Sequence, residues 1–266
     1  MFKKNALLSV YHKEGITEFA QGLIDLGWKL YASGGTAKHL KAAGLKVTDV
    51  AELVGGGAIL GHRVVTLSRQ VHAGLQARDE PDDIAELKKL DIPWIDLVCI
   101  DLYPLEQETA NPHATLESVI EQTDIGGPTM LRSAAKGKRI VIGDPADRAT
   151  VLEKLRTEGD LLPIDRQMLA AKTEYIVARY CLASTRYLGN GFYDGMIGRQ
   201  VAQCKYGENP YQKPAALYTT ETDNPLALDK FKLVSGADPS FINYTDFDRL
   251  LQTITHIAGV FELNRD

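Results

Sequence analysis

The sequence predicts an α/β fold: a mainly parallel sheet flanked by helices, with a C-terminal helical segment and a short α/β extension. Three observations predict it. Strand-length apolar runs alternate with helical stripes between Ala6 and Ile142, and the later runs are continuously apolar, as strands covered on both faces are. A stretch without strand candidates then follows, from Pro145 to about Leu188.

Ala6–Val10 is the first strand, and Ile16, Phe19, Ala20, Leu23 and Ile24 recur at helical spacing behind it as one buried stripe. Gly27 ends that helix. Trp28–Ala32 reads as a second strand, and Ser33-Gly-Gly-Thr36 turns into a short helix carrying Ala37, Leu40 and Ala43 that stops at Gly44. Lys46–Val50 reads as a third strand, Ile95–Ile100 and Arg139–Ile142 as two more. Ala149, Leu152 and Leu155 mark one helix, and Met168, Leu169, Ile176, Val177, Tyr180 and Cys181 a longer one. Glycines concentrate between Gly189 and Gly198, which puts a boundary near residue 200: a first domain over 1–200 and a shorter one over 201–266.

Composition excludes several classes. At 44% apolar, 24% charged and a formal net charge of -5, the chain is an ordinary globular one rather than a disordered or collagen-like one. The N-terminal apolar run is too short for a signal peptide and no window suits a membrane span, so the cytoplasm is the expected compartment. Cys99, Cys181 and Cys204 lie far apart and read as reduced, and His12, His39, His62, His72, His113 and His256 show no metal-like pairing, so no metal is expected. With 30 Lys+Arg against 35 Asp+Glu and no basic block, nucleic acid is not an expected partner.

Candidate chemistry gathers where strands end. In Ser33-Gly34-Gly35-Thr36 the glycines let the backbone approach a ligand, and the first helical N–H groups with two hydroxyls suit an anion. Lys13, just past the first strand, falls on the same edge of a parallel sheet and favours a phosphate there over a plain capped turn. Asp124-Ile-Gly-Gly-Pro128 is a second cradle, in which Gly126 and Gly127 offer N–H groups to a carbonyl or oxyanion while Asp124 reads from spacing alone as a cap. Lys136, two turns further along that helix, is by default a solvated lysine. Asp101 and Tyr103 follow an apolar strand directly, and Arg63 and Thr66 are possible anion ligands, with a surface ion pair as the plainer role for Arg63.

In combination, Ser9-Val10 with Lys13, Ala32-Ser-Gly-Gly-Thr-Ala37, Gly61-His-Arg-Val-Val-Thr-Leu67, Val71-His-Ala-Gly74, Asp101-Leu-Tyr-Pro104, Asp124-Ile-Gly-Gly127 and Leu131-Arg-Ser-Ala-Ala-Lys136 resemble the IMP cyclohydrolase domain of the bifunctional enzyme family that also carries AICAR formyltransferase. Lys205-Tyr-Gly-Glu-Asn-Pro-Tyr-Gln212 and Phe241-Ile-Asn-Tyr-Thr-Asp246 resemble the opening of its formyltransferase domain. The resemblance implies a methylglyoxal-synthase-like fold, closure of the purine ring of FAICAR to IMP and water, no cofactor, and a homodimer. It also implies that Lys13, Ser33, Gly34, Gly35 and Thr36 hold the 5'-phosphate. Arg63, Thr66, Asp101, Gly126 and Gly127 would face the base, and Tyr103, Asp124 and Lys136 would move protons.

Departures from the family pattern accompany the match. Val65 stands where the family has a lysine, Ser68-Arg69 replaces His-Pro, and Tyr211 replaces a histidine. Formyl transfer by this chain alone is not expected, because the sequence stops at Asp266, before the family's Lys-His pair. The alternatives are a catalytically weakened purine-nucleotide-binding module, or one subunit of a split bifunctional enzyme with a separate formyltransferase chain. A methylglyoxal-synthase-like enzyme acting on a triose phosphate fits less well, since Asp124-Ile-Gly-Gly127 and the tail from Lys205 match the purine enzyme.

Overall fold

Continuously apolar runs become strands buried on both faces. In the computed structural model, which describes residues 4–61, 63–220 and 224–261, β1 (Asn5–Ser9) is followed by α1 (Ile16–Asp25), β2 (Lys29–Ala32), α2 (Gly34–Ala42) and β3 (Val47–Asp49). Next come α3 (Val50–Val54), α4 (Arg69–Gln76), α5 (Pro81–Lys89), β4 (Leu97–Ile100), α6 (Leu105–Thr109), α7 (Leu116–Glu121) and α8 (Gly126–Lys136). β5 (Ile140–Ile142), α9 (Arg148–Thr157) and the long α10 (Pro163–Leu188) complete the first of two compact units, which divide between Asp194 and Gly195. His62, to which no role was assigned, and residues 1–3, 221–223 and 262–266 lie outside the described residues.

The five strands form one parallel sheet in the order β3-β2-β1-β4-β5, with Ala6 beside Leu30 on one side and Leu97 on the other. Alternate strand residues feed two cores. Ala6, Leu8, Leu97, Cys99, Ile140 and Ile142 pack with α1 and α9, whereas Leu7, Val98, Ile100 and Val141 pack with α4, α8 and α10. Helices therefore cover both faces, as the sequence predicts.

Some boundaries shift for local reasons. Val50 opens α3 instead of ending β3, because Asp49 accepts the Ala51 N–H at 2.9 Å and Glu52 accepts the Asp49 N–H at 3.2 Å, a reciprocal cap. Helices α3, α6 and α7 are of five or six residues, too short to display a periodic stripe. In the second unit, β6 (Arg199–Cys204) and β7 (Ala215–Thr219) form an antiparallel pair, followed by α11 (Phe241–Val260). No described helix is long and apolar enough to cross a membrane.

Helix α8, which opens at the candidate site, is seated against α4 at its far end by Gly137. Its φ of -77° suits any residue, but a Cβ there would collide with the Leu75 carbonyl oxygen and lie 3.2 Å from Gln76 Cα. Gly137→Ala should therefore destabilise the first unit by about 1–3 kcal/mol, the usual range for an added buried methyl. Urea unfolding checks this: a lowered midpoint is expected, and an unchanged one would show that α4 yields freely.

Candidate active site

The strand order reverses between β1 and β4, which leaves a crevice at their carboxyl ends where no crossover connection lies between them. There the Tyr11 backbone N–H donates to Asp101 Oδ1, tying the two strand ends together. A cavity of about 520 Å³ opens at this point, within the ordinary range for small-molecule sites. It brings together Lys13, Ser33, Gly35, Thr36, Arg63, Thr66, Asp101, Tyr103, Asp124, Gly126 and Gly127.

At one end stands the start of α2. Its first intrahelical bond runs from the Ala37 N–H to the Ser33 carbonyl at 2.8 Å, so the N–H groups of Gly34, Gly35 and Thr36 precede the hydrogen-bonded turns. A Cβ at Gly34 or Gly35 would meet nothing within 4 Å; Gly35 faces the cavity, whereas Gly34 does not line it. The Ser33 hydroxyl does not cap the helix but is hydrogen-bonded to Ser9 Oγ at 2.7 Å. Thr36 is 2% exposed, and its hydroxyl both accepts the Val10 N–H at 3.0 Å and donates to the Val10 carbonyl at 3.1 Å. The hydroxyl expected to face an anion is thus committed to Val10, which leaves the Thr36 backbone N–H at the start of α2. Lys13 Nζ donates to the Val10 carbonyl and, at 3.0 Å, to the Tyr11 carbonyl. Burial lowers its pKa, against the opposing pull of Asp101 and Glu14.

At the other end, the expected pair of free glycine donors is not free. Asp124 Oδ1 accepts the Gly127 N–H at 2.9 Å, and the Gly126 N–H lies close enough to this carboxylate to favour its charged form. The glycines are required by packing: a Cβ at Gly126 would lie 2.7 Å from Thr66 Oγ1, and one at Gly127 would collide with Asp124 Oδ2 and lie 2.7 Å from Leu102 Cδ2. Burial raises the Asp124 pKa in spite of these contacts. Burial, Asp124 and Tyr11 together raise that of Tyr103, whose ring centroid is 5.4 Å from that of Tyr11. Arg63 is an exposed residue paired with Glu121, its plainer reading. Thr66 is buried beside Gly126.

Sequence reasoning missed Tyr180. From α10 its hydroxyl accepts the Asp124 N–H at 2.6 Å and donates to the Gln122 carbonyl at 3.0 Å, with its pKa pushed up to about 12 by burial. Its helical spacing with Val177 marked it only as core. Also unread were Ile120, Ile125 and Leu188, exposed apolar residues that with half-buried Val65 give the cavity a greasy lip.

Lys136, expected in the proton-transfer set, does not line this cavity. It is the last residue of α8, roughly 15 Å along the axis from Gly126 at the standard rise per residue. There it lines a different cavity, of about 830 Å³, together with Trp28, Asp96 and Arg139 at the amino ends of the strands. Within this chain it stands apart from the cavity at Gly126.

Fold and crevice define the class. Residues 15–129 match the MGS-like domain, and the chain carries that domain's parallel sheet flanked by helices. Residues 134–262 match the AICARFT/IMPCHase bienzyme. A solved structure described as the crystal structure of ForH is 37% identical over 70% of this chain and 97% of that one, with a TM-score of 0.61. The chain belongs to the AICARFT/IMPCHase bienzyme family, a family of purine-biosynthesis enzymes. Among the described residues, no group of three or more His, Cys, Asp or Glu side chains is placed to hold a metal ion.

The two glycine pairs should respond differently to an added methyl. Gly34→Ala, with open space around it, is expected to leave thermal stability unchanged or slightly raised, since alanine favours the helix. Gly127→Ala should lower stability by about 1–3 kcal/mol by displacing Asp124 and Leu102. Equal melting shifts for both variants would contradict the distinction between glycines in open space and glycines required by packing.

Proposed function

We propose that this protein is an IMP cyclohydrolase that closes the purine ring of FAICAR to give IMP and water. The observation that carries this reading is one cavity holding the start of α2 at one end and the half-buried Asp124 and Tyr103 at the other. A 5'-phosphate at Gly35 and Thr36 receives backbone N–H groups and the positive end of the helix dipole, with Ser33 and Lys13 beside it. The apolar lip of Ile120, Ile125 and Val65 suits the flat face of a heterocycle, next to Thr66, Asp101 and Arg63.

The reaction joins two groups already present in one molecule. Holding the carboxamide nitrogen against the formyl carbon supplies much of the barrier reduction. As the N–C bond forms, the nitrogen passes a proton to the Asp124 carboxylate, and the formyl oxygen takes one from the Tyr103 phenol. The resulting hydroxyl then takes the proton back from Asp124 and leaves as water, while the former formamide nitrogen gives its proton to the Tyr103 phenolate, which forms the ring C=N bond and restores both side chains. Burial suits each group to its part, since a carboxylate with a raised pKa is a stronger base and a phenol with a raised pKa remains protonated at neutral pH. Tyr180 holds the Asp124 backbone in place.

Val65 gives the second reading its footing. It packs half-buried against the core and places a methyl surface where the family has a lysine, so a module that binds a purine monophosphate without turnover is the rival. We further propose that 201–266 opens a formyltransferase-like domain and that the protein works in the cytoplasm as a homodimer or beside a separate formyltransferase chain. The support is α11, a 20-residue helix with no buried residue and with Phe241, Leu250 and Ile254 about half exposed.

Turnover separates the readings. Spectroscopic assay of FAICAR closure should show a rate above the uncatalysed one that Asp124→Asn lowers by about 10²–10⁴-fold, the span of one positioned proton-transfer group. A protein that binds IMP yet closes no ring is the binding module. The base must be ionised, so activity should fall as pH drops through the Asp124 pKa. That pKa is raised, so the acid limb should lie above the ~3.9 of a free aspartate. Loss of this limb in Asp124→Asn is the check. Val65→Lys, which returns a cation, should raise the rate.

A further inference from the structure

Behind the anion end of the cavity lies a buried ion pair for which the proposed chemistry has no use. Arg148, the first residue of α9, has a side chain 7% exposed and does not line the cavity. Its Nε donates to Cys99 Sγ at 3.3 Å and its Nη1 to the Glu14 carbonyl at 2.9 Å. Its Nη2 faces Asp101 Oδ2 at 3.7 Å, and neither of these two atoms has a hydrogen-bond partner. The remaining carboxylate oxygen, Oδ1, accepts the Tyr11 N–H.

We infer that Arg148 is a positioning residue that sets the Tyr11–Glu14 loop, and with it Lys13, by gripping Glu14 directly and Tyr11 through Asp101. The inference rests on the reading of the cavity as a phosphate site. A guanidinium stays charged at all accessible pH, so this one needs a counter-charge where water is scarce. Asp101 meets that need from the cavity wall. The loop is thereby held at both ends by one rigid fork; between them Lys13 is bonded through its side chain to the Val10 and Tyr11 carbonyls, and its own carbonyl accepts the Ile16 N–H at 3.3 Å. Asp101 thus takes a different part from the base-facing one: its carboxylate is turned to the loop and to Arg148.

Calorimetric titration of the whole chain with IMP, referred to folded protein by circular dichroism, tests this through a double-mutant cycle. Arg148→Gln should weaken IMP binding about tenfold, the scale of one charge-assisted hydrogen bond. Asp101→Asn, which keeps an acceptor for the Tyr11 N–H but loses the charge, should weaken it comparably. The double variant should be little worse than either single one, and Arg148→Lys should recover part of the loss. If Arg148→Gln does not fold, the cycle is run with Arg148→Lys, for which a partial loss and the same non-additivity with Asp101→Asn are expected. Wild-type affinity in the folded Arg148 variant, or losses that simply add, would overturn the inference alone. A wild-type protein with no affinity for IMP would overturn both it and the phosphate reading.

Discussion

The candidate site depends on the place of β1 between β2 and β4 in an all-parallel sheet. The chain builds outward from β1 to β3, then returns to add β4 on the other side, so the carboxyl ends of β1, β2 and β4 open onto one uncovered edge. Side chains then lock those ends to each other. Ser9 bonds to Ser33, Thr36 clasps both polar groups of Val10, and Asp101 takes the Tyr11 N–H. Each tie joins β1 to a neighbouring strand's exit, so the start of α2 is fixed relative to the β4 edge before any ligand arrives. A site built this way loses little ordering entropy when it binds.

The electrostatics of the crevice run in one direction. Burial raises the pKa of Asp101, Tyr103 and Asp124 and lowers that of Lys13, each a push toward the neutral form. Clustering of such shifts in a cleft marks a candidate functional site. In the proposed reading, what would offset the charge of a phosphate there is the backbone at the start of α2, a fixed dipole that does not titrate. The end with Asp124 and Tyr103 is half-buried, which suits the proton exchange proposed for that carboxylate and phenol.

The strands of the fold were legible because continuous apolar runs have one economical use, burial on both faces of a sheet. The site was legible only in its location. Strand ends and glycine turns are sequence features, and parallel topology gathers them at one edge, which is why Lys13, Gly35, Asp101 and Asp124 share a cavity. Which atoms remain available is decided by packing. Asp124 occupies the Gly127 N–H, the Thr36 hydroxyl is committed to Val10, and Arg63 is paired with Glu121. Lys136 lines another cavity because nearness in sequence along a helix is distance along its axis, and Tyr180 was missed because its apolar stripe hid a hydroxyl that reaches Asp124.

The central claim is that a purine monophosphate sits with its phosphate on α2, at the carboxyl edge of the sheet. The most direct measurement is a crystal structure of the protein grown with IMP. The expected result is a phosphate within hydrogen-bond distance of the Gly35 and Thr36 N–H groups and the base turned toward Asp124 and Tyr103. A nucleotide found instead at the amino edge, in the cavity of about 830 Å³ beside Lys136 and Arg139, would contradict it.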